Sequence, residues 1–481
     1  MCRFQDASPA HNVTYGMFYR LEARSSAYVV ETVIGAAHVP HSMLRFFGLA
    51  FAFLLVGGSG AILAQNGSPD PAFKNIPFDR WVDEGDEAHI RWTARVLPVE
   101  LSNHQRLEAK IEIQVDGNEL VQRRGKGFLV ALVQFSDSEN RVYQTHEAID
   151  LQLVKEDTAK SIVAYTPAAF VIPGDYRISL AIFDSATGEH SGMRLPLHVA
   201  PLKKDPLPES WSGLPPVEIL PAAQSPDDLF LPKTTGRLRL PLETHRPVRI
   251  EILVNASPVS AGEPARTEQV SNRSLSSLIP ALKVLAQTDV RNGTLNVAVL
   301  DLTTQHVIFQ QAALHDLDWQ KLGPALKEAG PNKIDLHALE NRRQNAQFFV
   351  SQVRKRVDDG EPKTTSEPLP VLIVLSGPMA FDSGEDLHPV ELEGKPDAKV
   401  FYIRYHSIPP RQVTNPFMDE SRRGRRSPWP QQPGRGPAAM SEPVDSLEHT
   451  LKPLQPHLFD VYTAAEFRKA LSNLFDEISR L

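Results

Sequence analysis

Cysteine is almost missing from these 481 residues: Cys2 is the only one. A single cysteine excludes an intrachain disulfide and any zinc site built on thiolates. Cationic excess is also missing. The 51 Lys and Arg face 58 Asp and Glu, a formal net charge of −7, which argues against nucleic acid as a partner. Catalytic signatures are wanting too: the chain has no HExxH, no Gly-x-Ser-x-Gly and no phosphate loop ending Gly-Lys-Ser/Thr. Its histidines are scattered. Gly125-Lys126-Gly127-Phe128 reads as a turn into a strand, His245 and His306 as strand-end residues, and His337 with Glu340 as one helix turn that makes no site. The sequence therefore predicts a protein that is not an enzyme.

One long apolar run is present. Residues 43–65, "MLRFFGLAFAFLLVGGSGAILAQ", have a positive start at Arg45, an apolar core from Phe46 to Val56, and small residues from Gly57 to Ala61. These are the three parts of a secretory signal, with cleavage expected after Ala61 or Ala64. We read 43–64 as a signal peptide. Residues 1–42 lack a sustained period and read as a mis-called upstream extension, with translation starting at Met43. The stretch from Phe47 to Ala64 falls short of the roughly 20 apolar residues that span a bilayer, so membrane contact is expected only if the signal stays uncleaved. The expected location is outside the cytoplasm: periplasm, cell surface or medium. An exported protein without disulfides must rest on its hydrophobic cores.

Residues 71–200 carry the marks of short strands. In "EAKIEIQVDGNEL", Ala109, Ile111, Ile113 and Val115 alternate with polar residues, and Asp116-Gly117 predicts a hairpin turn. "GFLVALVQFSD" reads as a central strand. Tyr176, Ile178, Leu180 and Ile182 line one face of the next, which turns at 184–188 and returns through Leu195, Leu197 and Val199. The pattern predicts an antiparallel β-sandwich of immunoglobulin-like type, without that family's cysteine pair. Residues 201–235 are Pro-rich and aperiodic, and read as an extended linker.

From 236 to 481 strands alternate with helices. "VRIEILV", "GTLNVAVLD", "LPVLIVLSG" and "KVFYIRY" are strands, and "HVIFQQA" pairs with the second of them. "SLSSLIPALKVLAQ" is a helix whose Pro280 must sit near its start or kink it. "LDWQKLGPALKEA" and "IDLHALENRRQNAQFFVSQVRKRV" are further helices. Thr463 and Glu466 form a capping box before a helix whose stripe is Phe467, Leu471, Leu474, Ile478 and Leu481. Such alternation predicts a doubly wound α/β domain, a mostly parallel sheet with helices on both faces. Residues 408–443, rich in Pro, Gly and Arg, interrupt it as an expected disordered insertion.

The element order and the closing phrase "FDVYTAAEFRKALSNLFDEI" resemble the von Willebrand factor type A domain, in particular a bacterial exported group with an N-terminal β-rich domain. The resemblance covers residues 236–481. It implies a divalent-cation adhesion site formed by Asp-x-Ser-x-Ser after the first strand, a Thr from a later loop, and an Asp after the central strand. In this sequence those positions are Asn255, Ser257 and Val259, a loop near Asn332, Lys333 and Asp335 that has no Thr, and Gly377 following Ser376. Both carboxylates are gone. Hard cations need oxygen ligands with carboxylate charge to offset dehydration, so the site reads as degenerate and no cofactor is expected, Mg²⁺ or Ca²⁺ being the alternative.

Asn255-Ala256-Ser257 is also a glycosylation sequon. Asp382, Glu385 and Asp386 follow the central strand and with Asn255 and Ser257 mark a possible partner-binding edge. Arg422, Arg423, Arg425, Arg426 and Arg435, with Trp429, make the insertion basic. The expected function is non-catalytic binding of an as yet unidentified extracytoplasmic protein, a scaffold role that the resemblance implies. The alternatives are a cation-dependent adhesion receptor and a hydrolase using Ser257 or Asp382.

Overall fold

The computed structural model describes residues 70–85, 90–220, 234–257, 268–328, 342–357, 367–379, 398–406 and 445–481. The expected signal, the acidic triplet Asp382, Glu385 and Asp386, Val259, the loop near Asp335 and the basic insertion all lie outside these residues. Among the described residues no helix is long and apolar enough to cross a membrane. The chain folds as a multidomain, β-rich protein.

Its N-terminal part comprises α1 (Phe78–Glu84), β1 (Trp92–Val96), β2 (Glu100–Leu101), β3 (Leu107–Asp116), α2 (Gly117–Gln122), β4 (Phe128–Ser136), β5 (Val142–Asp150), β6 (Ile162–Tyr165), β7 (Ala168–Val171), β8 (Gly174–Asp184), β9 (His190–Val199) and β10 (Val217–Leu220). One antiparallel sheet has the path β1-β3-β7-β10 with β2 and β6 also on β3; the other runs β5-β4-β8-β9. The alternating faces of β3 and β8 supply one shared core: Ile111, Ile113 and Val115 from the first sheet, Ile178, Leu180 and Ile182 from the second. The outer face of the second sheet is covered by the segment that precedes β1. Phe73, Phe78, Trp81 and Val82 pack on Leu132 and Ala181, and Trp81 stacks on His190 at 4.2 Å. Gly192 permits this approach, since a Cβ there would sit 2.7 Å from the Trp81 carbonyl oxygen.

Two expectations fail here. Asp116-Gly117 makes no hairpin: Asp116 Oδ1 accepts from Asn118 N at 2.8 Å and caps α2. The chain then crosses from one sheet to the other, so an Asx cap wins over a tight turn. Nor is 201–235 only a linker. Val217–Leu220 pairs antiparallel with β7, because Val217 completes the apolar core.

The C-terminal part comprises β11 (Leu240–Leu242), β12 (Val248–Asn255), α3 (Glu268–Leu285), β13 (Thr288–Val290), β14 (Gly293–Asp301), β15 (His306–Gln311), α4 (Trp319–Glu328), α5 (Arg342–Val357), β16 (Leu369–Ser376), β17 (Lys399–Tyr405), α6 (Ser446–Leu451), β18 (His457–Val461) and α7 (Ala464–Ser479). Six strands run β15-β14-β12-β16-β17-β18. All neighbours are parallel except β14 with β15. One face packs on α3, α4 and α7 through Leu278, Leu282, Leu322, Phe467 and Leu471; the other meets α5 and α6 through Phe349, Val353 and Leu447. The Thr463 box caps α7 at both hydrogen bonds. Pro280 lies well inside α3 rather than near its start, because the helix begins six residues earlier than the apolar period shows.

A polar seam joins the two parts. Arg468 of α7, 2% exposed, holds Asp205 through Nε and Nη2 at 2.6 and 2.8 Å and donates to Leu207 O and Ser210 Oγ. Its guanidinium lies 4.7 Å from the Trp211 ring centre. Gln105, in the left-handed region at φ 60°, donates to Ala464 O at 2.9 Å and accepts from Trp211 Nε1 on its own carbonyl. Breaking a buried pair by removing one partner strands the other charge, at about 3 kcal/mol or more. Arg468→Met is therefore expected to lower stability by about 3 kcal/mol in urea unfolding at pH 7; a loss below about 1 kcal/mol would make the seam incidental.

Acid should also destabilise the fold through His104. Burial, then the charges of Lys283 and Arg106, push His104 down to about 3. The unfolded chain takes a proton below the ordinary value of 6.5 while the folded one refuses it, so stability falls as pH drops from 6.5 toward 3. His104→Gln is expected to flatten that part of the stability–pH curve; an unchanged slope would assign the acid sensitivity elsewhere.

Candidate functional site

The order of the large sheet reverses between β12 and β16, the first strand having β14 on one side and β16 on the other. In open α/β sheets the crevice beyond the carboxyl ends at such a reversal is where ligands bind. The residues there are Asn255 at the end of β12 and Ser376 at the end of β16. Ser257, two residues past Asn255, closes the group.

Their hydrogen bonds have a fixed direction. The backbone N–H of Ser257 donates to Asn255 Oδ1 at 3.1 Å. A backbone amide cannot accept, so this contact assigns the oxygen to that side and turns Nδ2 the other way. Nδ2 donates to Ser376 Oγ at 2.9 Å and lies 3.5 Å from Met379 Sδ. Leu302 N donates to Ser257 Oγ at 2.6 Å, leaving the Ser257 hydroxyl proton for Asn255 Oδ1 at 2.5 Å. Ser376 Oγ passes its own proton to Gly377 O at 2.7 Å. Asn255, Ser257 and Ser376 are all buried. The three side chains form one neutral, hydrogen-bonded chain from β14 to β16.

A divalent cation does not fit this arrangement. The amide presents N–H rather than oxygen to Ser376, and both hydroxyl oxygens already accept a proton donor. None of the three side chains carries charge to offset the cation's dehydration. Among the described residues no group of three or more His, Cys, Asp or Glu could hold a metal ion. The sequon is not a glycan acceptor surface either, since the Asn255 amide nitrogen is buried and engaged.

Sequence reasoning passed over one carboxylate close by. Asp445 caps α6 through Leu447 N. Its Oδ1 also accepts from Met379 N at 3.2 Å, while Oδ2 accepts from Tyr402 OH at 2.9 Å and Arg404 Nη1 at 3.3 Å. Burial, reinforced by the negative Asp445, lifts the Tyr402 phenol well above its usual range, so it remains a donor. Arg404 also reaches Glu448 and Asp460, both at 2.7 Å, and Asp460 accepts from His406 once that ring presents a proton. The hydrogen bond from Arg404, aided by His406, holds the Asp460 carboxyl below the usual range. Asp445 stands three residues before Glu448 ahead of an apolar turn, the spacing of a helix N-terminus; that was the available signal.

The pair Asp301 and Thr303 is equally closed. Asp301 Oδ1 accepts from Thr303 N and Oγ1, and Oδ2 from Thr304 Oγ1. The end of β14 therefore offers no free carboxylate to its neighbour Ser257.

Comparison with known proteins adds no assignment. No protein-family profile matches the chain, and no curated protein matches it. Among solved structures, one described as the X-ray structure of Northeast Structural Genomics Consortium target SoR45 is similar over 23% of this chain and 85% of its own, at 14% identity and a TM-score of 0.15. A score that low carries no argument about fold or function.

The hydrogen-bond chain makes a direct prediction. Ser257→Ala leaves Leu302 N–H and one lobe of Asn255 Oδ1 without partners, so it should cost about 1–3 kcal/mol. Chemical denaturation of the variant checks this, and a change within about 0.5 kcal/mol would mean the contacts are not held in solution.

Proposed function

We propose that this chain is an exported, non-catalytic binding protein, made of an immunoglobulin-like sandwich followed by a von Willebrand factor type A-like domain, and that it engages an extracytoplasmic protein without a metal ion. The strand order supports the finer fold reading: a six-stranded sheet with one antiparallel strand, reversing between its first and fourth strands. The observation that carries the functional reading is the 2.9 Å bond from Asn255 Nδ2 to Ser376 Oγ at that reversal. It puts a donor, in a neutral network, where a cation would need anionic oxygen. Binding at this edge then rests on the shape and charge of the surrounding loops, among them Asp382, Glu385 and Asp386 from the sequence.

Cation titration tests the reading. Up to about 5 mM Mg²⁺ or Ca²⁺ is expected to leave the melting temperature of the full chain unchanged, since only a ligand of the native state raises it. A saturable rise would favour the cation-dependent adhesion receptor instead. Capture of a partner from an envelope fraction is expected to be equal in EDTA and in Mg²⁺, and to disappear in the Asp382→Ala, Glu385→Ala, Asp386→Ala triple variant.

A further inference from the structure

At the opposite end of the large sheet, more than about 20 Å from Asn255 along the strands, lies a cavity of about 510 Å³. It opens between the two-stranded parallel ladder β11–β13 and the start of β14. That volume is within the range of small-molecule sites, roughly 300–1,000 Å³.

The lining has two chemistries. Its wall includes Leu238, Leu240, Leu295 and Leu314, whose side chains are buried in the core of the C-terminal part. Its rim carries Arg237, Arg239, Arg291 and His315 against one acid, Asp289.

The rim is available to a ligand. Arg237 is paired with Asp316 and donates to His315 O at 2.8 Å, and Arg291 is paired with Glu243. Neither acid lines the cavity, and both pairs are largely exposed, with side-chain accessibilities of 50% and 80% in the first and 55% and 68% in the second. Exposed pairs of this kind hold weakly and exchange readily for a multivalent anion. Arg239 is exposed and has no side-chain partner among the described residues. Three guanidiniums at one mouth suit carboxylate or phosphate groups, which they grip two hydrogen bonds at a time.

We propose that this cavity binds a small organic polyanion, a carbon frame bearing two or more carboxylates or phosphates, with the anionic groups at Arg237, Arg239 and Arg291 and the frame spanning the cleft between them. The site is separate from the carboxyl edge discussed above and stands whether or not that edge binds a protein.

Isothermal titration of the full chain at about 20 mM salt, where screening is slight, tests it with two probes. Citrate represents the carboxylates and fructose 1,6-bisphosphate the phosphates; inorganic sulfate controls for charge alone. At least one organic probe is expected to bind saturably with Kd below about 1 mM, at least about tenfold tighter than sulfate, and which one binds names the anionic group. Arg239→Ala and Arg291→Ala, both exposed and expected to melt like the parent, should each weaken binding about tenfold or more. Absence of binding below about 1 mM by both probes, sulfate binding as tightly, or full affinity in both variants would overturn the proposal.

Discussion

A backbone N–H can donate a hydrogen bond and never accept one. At Ser257 and Leu302 that elementary asymmetry decides the chemistry of the whole sheet edge. Leu302 N donates to Ser257 Oγ and Ser257 N to Asn255 Oδ1, so the Asn255 amide can point only one way. Its N–H groups face Ser376, and Ser376 in turn must donate to Gly377 O. A network that begins on fixed donors and ends on a fixed carbonyl is neutral and has no charge to offer a cation.

The seam shows the same preference for directed polar contacts where the two parts meet. An apolar interface would let α7 slide over the linker at little cost. Arg468 does not permit this, because one guanidinium is tied to Asp205, Leu207 O and Ser210 and lies over Trp211. Gln105 adds a second fixed point at Ala464. Glu218 adds a third: it holds Arg106 and accepts from Gly236 N where the chain enters the second part. These groups give orientation more than net stability, since a buried pair recovers little beyond its own desolvation.

Much of this architecture was legible in the sequence, and the reasons differ by element. The alternation at Ile111, Ile113 and Val115 and the capping box at Thr463 are local signals with local causes, and both are found in the structure. Val217–Leu220 was hidden because four residues in a Pro-rich stretch carry no period; only the distant β7 makes them a strand. Asp116-Gly117 misled because the same dipeptide serves a hairpin turn and a helix cap, and the choice depends on which sheet the chain enters next. At the site, Asn255, Ser257 and Ser376 were identifiable as neighbours, but the direction of their hydrogen bonds was not. It takes Leu302 and Gly377, whose contributions are backbone atoms that no residue pattern encodes.

The charge logic of the edge is all-or-none. A carboxylate buried where Asn255 stands would be costly without a cation, and a cation there would be costly without the carboxylate. Removing either alone leaves an uncompensated charge in a buried site beside Met379. A neutral amide resolves this only if hydroxyls are present to accept its N–H and to satisfy its oxygen, which Ser376 and Ser257 do. The serines are therefore as necessary to the neutral form as to a metal-bound one, but with opposite duties: they complete hydrogen bonds instead of lending oxygens to an ion.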